Sequence, residues 1–378
     1  MLKKSILLFL CLTMMSMYVF ASDSVTTNSD TSINFGDVTI YTLTLDDAIN
    51  IALNDNPQLN ASIVKKQNNK AQLQSARDTK AGYGDIKEIN ISAGYELNYI
   101  KNSYYIHLYQ NAVKLSDYEY KQIEAQISYN ITEKYFNLKN AEKLVEISKN
   151  SYQLVKENYD ASLLSYELGL IAKTDLDNVM VGLMQAEFAL NNYTNNYEIA
   201  KEDFKIALRK NNENCDFVLT SSIDVIEYET NLENDLVNAE NSRYDIMSLK
   251  SNYELSKEYF QLTNLPENTA RYTSAYNNYI TAEYNYTNNK ALILLGVKSG
   301  YNNIYSTRNS VTLAEMTLNL KKNAYEIAKV KFEHGMITNT ELLSALNDVY
   351  LAEVEYENSK LKYILAVDKY KYDISIGL

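Results

Sequence analysis

Residues 166–208 read YELGLIAKTDLDNVMVGLMQAEFALNNYTNNYEIAKEDFKIAL, and residues 332–374 read FEHGMITNTELLSALNDVYLAEVEYENSKLKYILAVDKYKYDI. The two stretches align without a gap at an offset of 166 residues, and 11 of the 43 pairs are identical. Gly169/Gly335, Thr174/Thr340, Leu176/Leu342, Ala186/Ala352 and Ala200/Ala366 are among them. The same offset continues upstream through Tyr118/Tyr284, Ala125/Ala291, Tyr135/Tyr301 and Leu154/Leu320. A repeat of so long a period marks an assembly of like units.

Heptads say what each unit is. Leu176, Val179, Leu183, Ala186, Leu190, Tyr193, Tyr197, Ala200, Phe204 and Ala207 step by three and four without a break. Leu342, Ala345, Val349, Ala352, Tyr356, Ser359, Tyr363, Ala366 and Tyr370 do the same in the second copy. This is a knobs-into-holes seam. Ala and Ser interleave with larger residues, so the helices are expected to pack side by side around no thick core. Gly169 and Gly335 fall between two helical patterns, where glycine permits a left-handed helix end. Thr174-Asp175 and Thr340-Glu341 follow as helix starts. Each copy therefore reads as a long antiparallel hairpin with a tight tip. Its incoming helix, from about residue 112 to 166, would span roughly 80 Å.

Composition bounds the rest. Lys3-Lys4, an apolar run from Ile6 and Val19-Phe20-Ala21 read as a secretory signal over residues 1–21, with a retained anchor as the competing reading. Cys11 lies in that run, which leaves Cys215 without a partner for an intrachain disulfide. A net charge of −12 argues against nucleic acid and anionic membrane surfaces. Only 2 Pro and 10 Gly in 378 residues fit mostly continuous helix. Residues 22–42 read as a flexible lead, 43–210 as the first hairpin repeat, 211–234 as a linker and 235–378 as the second repeat. Phe217-Val218-Leu219 offers a short strand within the linker. The 34 tyrosines read mainly as seam and interface residues.

The opening LTLDDAINIALNDNPQL at residues 43–59 resembles that of TolC-type outer membrane efflux proteins, with Asn56-Pro57-Gln58-Leu59 at the family's Asn-x-Pro-aliphatic turn. Residues 241–246, NSRYDI, are its degenerate second copy, with Tyr244 at the proline position. YELGLIAKTD at 166–175 and FEHGMITNTE at 332–341 resemble the two tip motifs. The order of opening, tip, linker, opening and tip is specific, and it covers residues 43–378. The resemblance implies a mainly α fold, two tandem coiled-coil hairpins forming a TolC-like α-barrel. It also implies a homotrimer whose helices make a hollow tube, docked on a membrane-fusion adaptor and an inner-membrane pump. Such tubes export small molecules or proteins from the cell envelope, across the outer membrane where the organism has one.

The chain departs from the family in two places. Family members carry a β-hairpin in each repeat. Here Ile89, Ile91, Ala93, Tyr95, Leu97 and Tyr99 alternate with polar residues as one strand. Residues 104–109 offer its return, so a β-hairpin is expected at 88–110. Copy two offers only a turn at residues 263–268. Two strands per chain give six in a trimer, below the roughly eight of the smallest outer-membrane barrels. The expectation is a helical tube with a reduced or absent barrel.

The tips are the second departure. The family's gate places carboxylates six and nine residues after the second tip glycine. Glu341 fills the first position and Ser344 stands at the second, while Asp175 matches an acid of the first tip. Phe332 and Ile337 replace the tyrosine and arginine of the family's lock. Asp175, Glu341 and Ser344 are thus pore-gate candidates. The plainer reading makes both acids helix-start residues favoured by the dipole. Gly169, Leu170, Gly335 and Met336 resemble adaptor contacts, or form turns with an apolar cap.

No catalytic or cofactor chemistry is legible. His107 and His334 are the only histidines, with no metal-ligand spacing. No nucleophile elbow or phosphate loop occurs. An enzyme is not expected, and neither is a cofactor. His334, beside the tip glycine, reads as a helix C-terminal cap or a pH sensor. Two functions stand. One is the exit duct of an efflux or type I secretion system. The other is a structural or adhesive coiled-coil envelope protein that lost the pore.

Overall fold

Two hairpins of equal length set the architecture of this computed structural model, which describes residues 38–83, 94–263 and 265–378. In chain order the first repeat contains β1 (Thr39–Leu43), α1 (Leu45–Leu53), α2 (Pro57–Tyr83), α3 (Gly94–Lys101), α4 (Tyr104–Glu167) and α5 (Lys173–Ala207). Then follow β2 (Cys215–Leu219), α6 (Leu232–Ser242), α7 (Tyr244–Leu262), α8 (Ala270–Glu333) and α9 (Asn339–Asp373). Helices α4 and α8 have 64 residues each, and α5 and α9 have 35 each. Each second-repeat helix of these pairs starts and ends 166 residues after its counterpart (270 − 104, 333 − 167, 339 − 173, 373 − 207).

The long helices α4 and α8 each extend about 96 Å. Each packs against two shorter helices in succession. Helix α4 runs along α2 and then α5; α8 runs along α7 and then α9. Helix α4 also lies against α9, which joins the repeats. Both prolines sit outside helix interiors. Pro57 opens α2, where a missing N–H costs nothing. The Asn56 side chain accepts from the Gln58 N–H (2.9 Å) and donates to the Ala52 carbonyl, so it starts α2 while closing α1. In the degenerate copy Arg243 takes this place. It is buried, donates to both Asp245 oxygens and the Asp373 carbonyl, and so ties the start of α7 to the end of α9.

The waist is a two-stranded parallel sheet in which Thr39 pairs with Cys215 and Leu43 with Leu219. Part of the expected flexible lead is therefore strand. The alternating Thr-Ile-Tyr-Thr-Leu finds its partner only after a whole repeat has crossed over. Tyr135, fully buried on α4, pins the sheet. Its hydroxyl donates to the Leu43 carbonyl (3.0 Å) and accepts from the Ser221 N–H (2.8 Å). Its ring meets Phe136 and Phe204 edge-on. Among the described residues the second repeat has no sheet at this level. There the linker is strapped down by Tyr363, which donates to the Ile226 carbonyl, and by Tyr370, which donates to Asp235. Cys215 is free and buried in β2.

The far end corrects the strand reading. Residues 88–93 of the expected hairpin lie outside the described residues. Residues 94–101 are helix α3, and Tyr104 already belongs to α4. The alternation was real but its partner was helical. Tyr99 stacks on Tyr259 of α7 with centroids 4.7 Å apart, and its hydroxyl shares a hydrogen bond with Thr263. The Asn98 side chain donates to the Leu262 carbonyl (2.6 Å) and so caps α7. A period-two pattern cannot outweigh these non-local contacts. Copy two, expected to turn at 263–268, turns over residues 265–269, with the Thr269 N–H on the Pro266 carbonyl.

Removing the Tyr135 hydroxyl leaves the half-buried Ser221 N–H without its acceptor. Tyr135→Phe is expected to lower the unfolding free energy by about 1–3 kcal/mol, read by denaturant titration. An unchanged midpoint would mean that the waist does not depend on this bond.

Candidate functional site at the hairpin tips

Both tips are built alike. Helix α4 ends in a left-handed glycine, Gly169 (φ 73°), and α8 in Gly335 (φ 68°). The Gly169 N–H bonds to the Tyr166 carbonyl and the Leu170 N–H to Ser165; Gly335 and Met336 repeat this on Phe332 and Lys331. These are Schellman closures, which satisfy the last carbonyls of each helix. The pattern leaves Leu170 and Met336 pointing outward, 72% and 71% exposed. Leu168 joins them, so the tip end carries an apolar crown. His334 sits at the C-cap of α8 with its ring nitrogen 2.8 Å from the Val330 carbonyl.

The acids begin the return helices. Glu341 forms a capping box: the Thr338 N–H (2.7 Å) and hydroxyl (3.0 Å) donate to its carboxylate, and its own N–H reaches the Thr338 hydroxyl. The Thr338 N–H and hydroxyl hold the Glu341 carboxyl below the usual carboxylate range. Asp175 stands in the equivalent place but has less support, because Ala172 replaces Thr338. Only the Ala172 N–H donates to it, at 3.3 Å. Each acid is thus engaged at its own helix start. Ser344 lies elsewhere, on the wall of a groove of about 410 Å³ between α4, α5 and α9. No charged residue lines that groove; Ser148, Gly182, Thr340 and Tyr350 are among its walls.

One feature of the tip escaped the sequence reading. Asn158 and Ser162 on α4 bind Asn339 at the start of α9 through paired carboxamides. The available signal was small polar residues at seam spacing, but which seam they face depends on how the repeats pack.

Residues 248–368 match the family model described as outer membrane efflux protein. The described residues have the fold of TolC-like channels. It is similar to the Campylobacter jejuni CmeC outer membrane channel at 16% identity, with a TM-score of 0.68 and 86% of this chain and 84% of that one covered. It is also similar to the outer membrane protein VceC of Vibrio cholerae (14%, TM-score 0.65, 88% and 96% covered). The open state of the Neisseria gonorrhoeae MtrE channel is a third (13%, TM-score 0.60, 88% and 89%). Comparison with curated proteins finds no match.

Two measurements test the tip geometry. An added Cβ at Gly335 meets nothing within 4 Å, so Gly335→Ala acts through backbone strain alone. It is expected to cost about 1–2 kcal/mol in denaturant unfolding. A neutral effect would mean that the tip relaxes out of the left-handed region. Glu341 should titrate below an ordinary glutamate when followed by carbon-detected NMR. Its folded value is lowered, so its capping contribution is complete above the ordinary glutamate range and lost as pH falls through the lowered value. A midpoint at or above that of free glutamate removes the capping box.

Proposed function

We propose that three copies of this chain close into a hollow helical duct, the outer-membrane exit of an efflux or type I secretion system. The observation that carries the reading is where the exposed apolar residues lie. Within one chain, the tip half of α4 packs on α9. A shift of 166 residues turns that joint into one between the tip half of α8 and an α5. Both of those faces are open in a single chain. Helix α8 exposes Leu313 at a position buried on α4, with Met316, Leu320, Ile327 and Val330 in a stripe beside it; α5 exposes Val181, Met184, Phe188, Ile199 and Ile206. The far half repeats the logic. The α4–α7 contact shifts onto α8 and α2, where Ile280 and Tyr284 face outward on one and Ile63 and Val64 on the other. Contiguous apolar stripes of this length call for a partner. Here the partner is a second copy, with α8 of one chain seated on α5 and α2 of the next. The threefold closure follows the TolC-like relatives.

The tips complete the reading. The crown of Gly169, Leu170, Gly335 and Met336 meets a membrane-fusion adaptor, behind which stands an inner-membrane pump. Asp175 and Glu341 from three chains line the constriction, where repeated carboxylates favour cations, and Ser344, the third gate candidate, faces the groove one turn on. The exported cargo is a small molecule or a protein. The opposite end meets the outer membrane through a shortened element, since among the described residues the far ends carry α3 and a turn. That same shortening supports the alternative of a coiled-coil envelope protein without a pore.

Native mass of the mature chain in mild detergent tests the duct. A trimer is expected, and Leu320→Asp should yield monomers with unchanged helical circular dichroism. A monomeric parent chain, or a trimer indifferent to Leu320→Asp, would sink this interface.

A further inference from the structure

The duct reading contains two kinds of joint, and at the tip they differ. Inside one chain the joint is latched. The Asn158 carboxamide nitrogen donates to the Asn339 oxygen at 2.7 Å, and the Asn339 nitrogen donates back at 2.7 Å. That same nitrogen reaches the hydroxyl of Ser162 at 2.9 Å, a buried residue whose own proton goes to the Asn158 carbonyl. Further down the same joint, Asn140 donates to Asn358 at 3.0 Å. Carboxamides both donate and accept, so a reciprocal pair satisfies both partners and fixes their register.

The joint between chains has the same geometry by repetition but different residues. A shift of 166 places Ala324 where Asn158 stands, Ala328 where Ser162 stands and Lys173 where Asn339 stands. Two methyl groups accept nothing, and an ammonium only donates. The tip latch therefore has no counterpart between chains, although Ser306 and Asn192 stand where Asn140 and Asn358 do further down. A second difference points the same way. Helix α9 starts from Thr338, whose hydroxyl takes the Glu341 N–H, whereas α5 starts from Ala172, which has no hydroxyl. The start of α9 is thus held twice, by its cap and by α4. The start of α5 keeps only the Ala172 N–H bond to Asp175, at 3.3 Å, and lacks both the hydroxyl cap and the latch.

We infer that the duct tip opens between chains, where α5 of one copy meets α8 of the next, and that the Asn158–Asn339–Ser162 latch makes the two hairpins of one chain move as a block. Opening then widens three joints rather than six. The latch residues act on positioning, with no direct contact to cargo. This inference rests on the duct reading above.

Pulsed electron spin resonance on the full mature chain in detergent separates the joints, in a Cys215→Ala background. Labels at Leu170→Cys and Met336→Cys, in a few chains diluted among unlabelled ones, report the distance within a chain. A label at Leu170→Cys in every chain reports the distance between chains. A narrow distribution within and a broad one between are expected. Asn339→Lys should cost the intrachain pair its narrow distribution. The variant K173N/A324N/A328S, which transplants the latch, should narrow the interchain one. Equal widths in a trimer of confirmed mass, or widths indifferent to both variants, overturn the inference and leave the duct standing. A monomer by native mass overturns the duct itself, and the inference with it.

Discussion

A helix about 96 Å long cannot be buried by one partner, and everything else in this structure answers that constraint. Each long helix is only two hairpin layers deep, so no thick core encloses it. Its apolar residues must instead be divided among several narrow seams. Helix α4 succeeds within the chain, because α2, α5, α7 and α9 cover it along its length. Helix α8 has α7 and α9 but keeps a stripe from Leu313 to Val330 in water. Duplication explains the difference. A tandem pair has one internal joint, and its outer faces repeat the helices of that joint with nothing in the chain to meet.

The waist is where the two copies stop being equivalent. In the first repeat a parallel strand pair crosses α4 and is pinned by Tyr135. In the second, Tyr301 occupies the corresponding place and bonds only along its own helix to Tyr305, while Tyr363 and Tyr370 hold the linker instead. The tyrosines of this chain therefore serve as long hydrogen-bonding core residues. A buried ring fills a thin seam, and its hydroxyl reaches backbone that the ring alone would leave unsatisfied. The tips diverge as well, since only α9 starts from a hydroxyl cap and a carboxamide latch.

Much of the hairpin was legible because its causes are local. Heptad spacing gave the long helices a face, Gly169 and Gly335 marked the left-handed turns, and Thr340-Glu341 marked a helix start that the structure caps two residues earlier, at Thr338. The constant offset of 166 residues carried the equal helix lengths with it. The far end was misread over residues 94–110 because strict alternation describes a face, not a partner. Tyr99 alternates as a strand residue would, yet Tyr259 and Thr263 offered its ring and hydroxyl a better home in a helix.

By itself the sequence determined the repeat, the hairpins, the tip turns and the acids that begin the return helices. Each of these depends on residues within one or two helical turns, or on a register copied by duplication. The tertiary structure alone decided that residues 39–43 pair with 215–219, that α3 caps α7 and that Asn158 meets Asn339. Those contacts join residues more than 150 positions apart. A hydrogen-bonding side chain announces that it needs a partner, but only the packed helices determine which one comes within 3 Å.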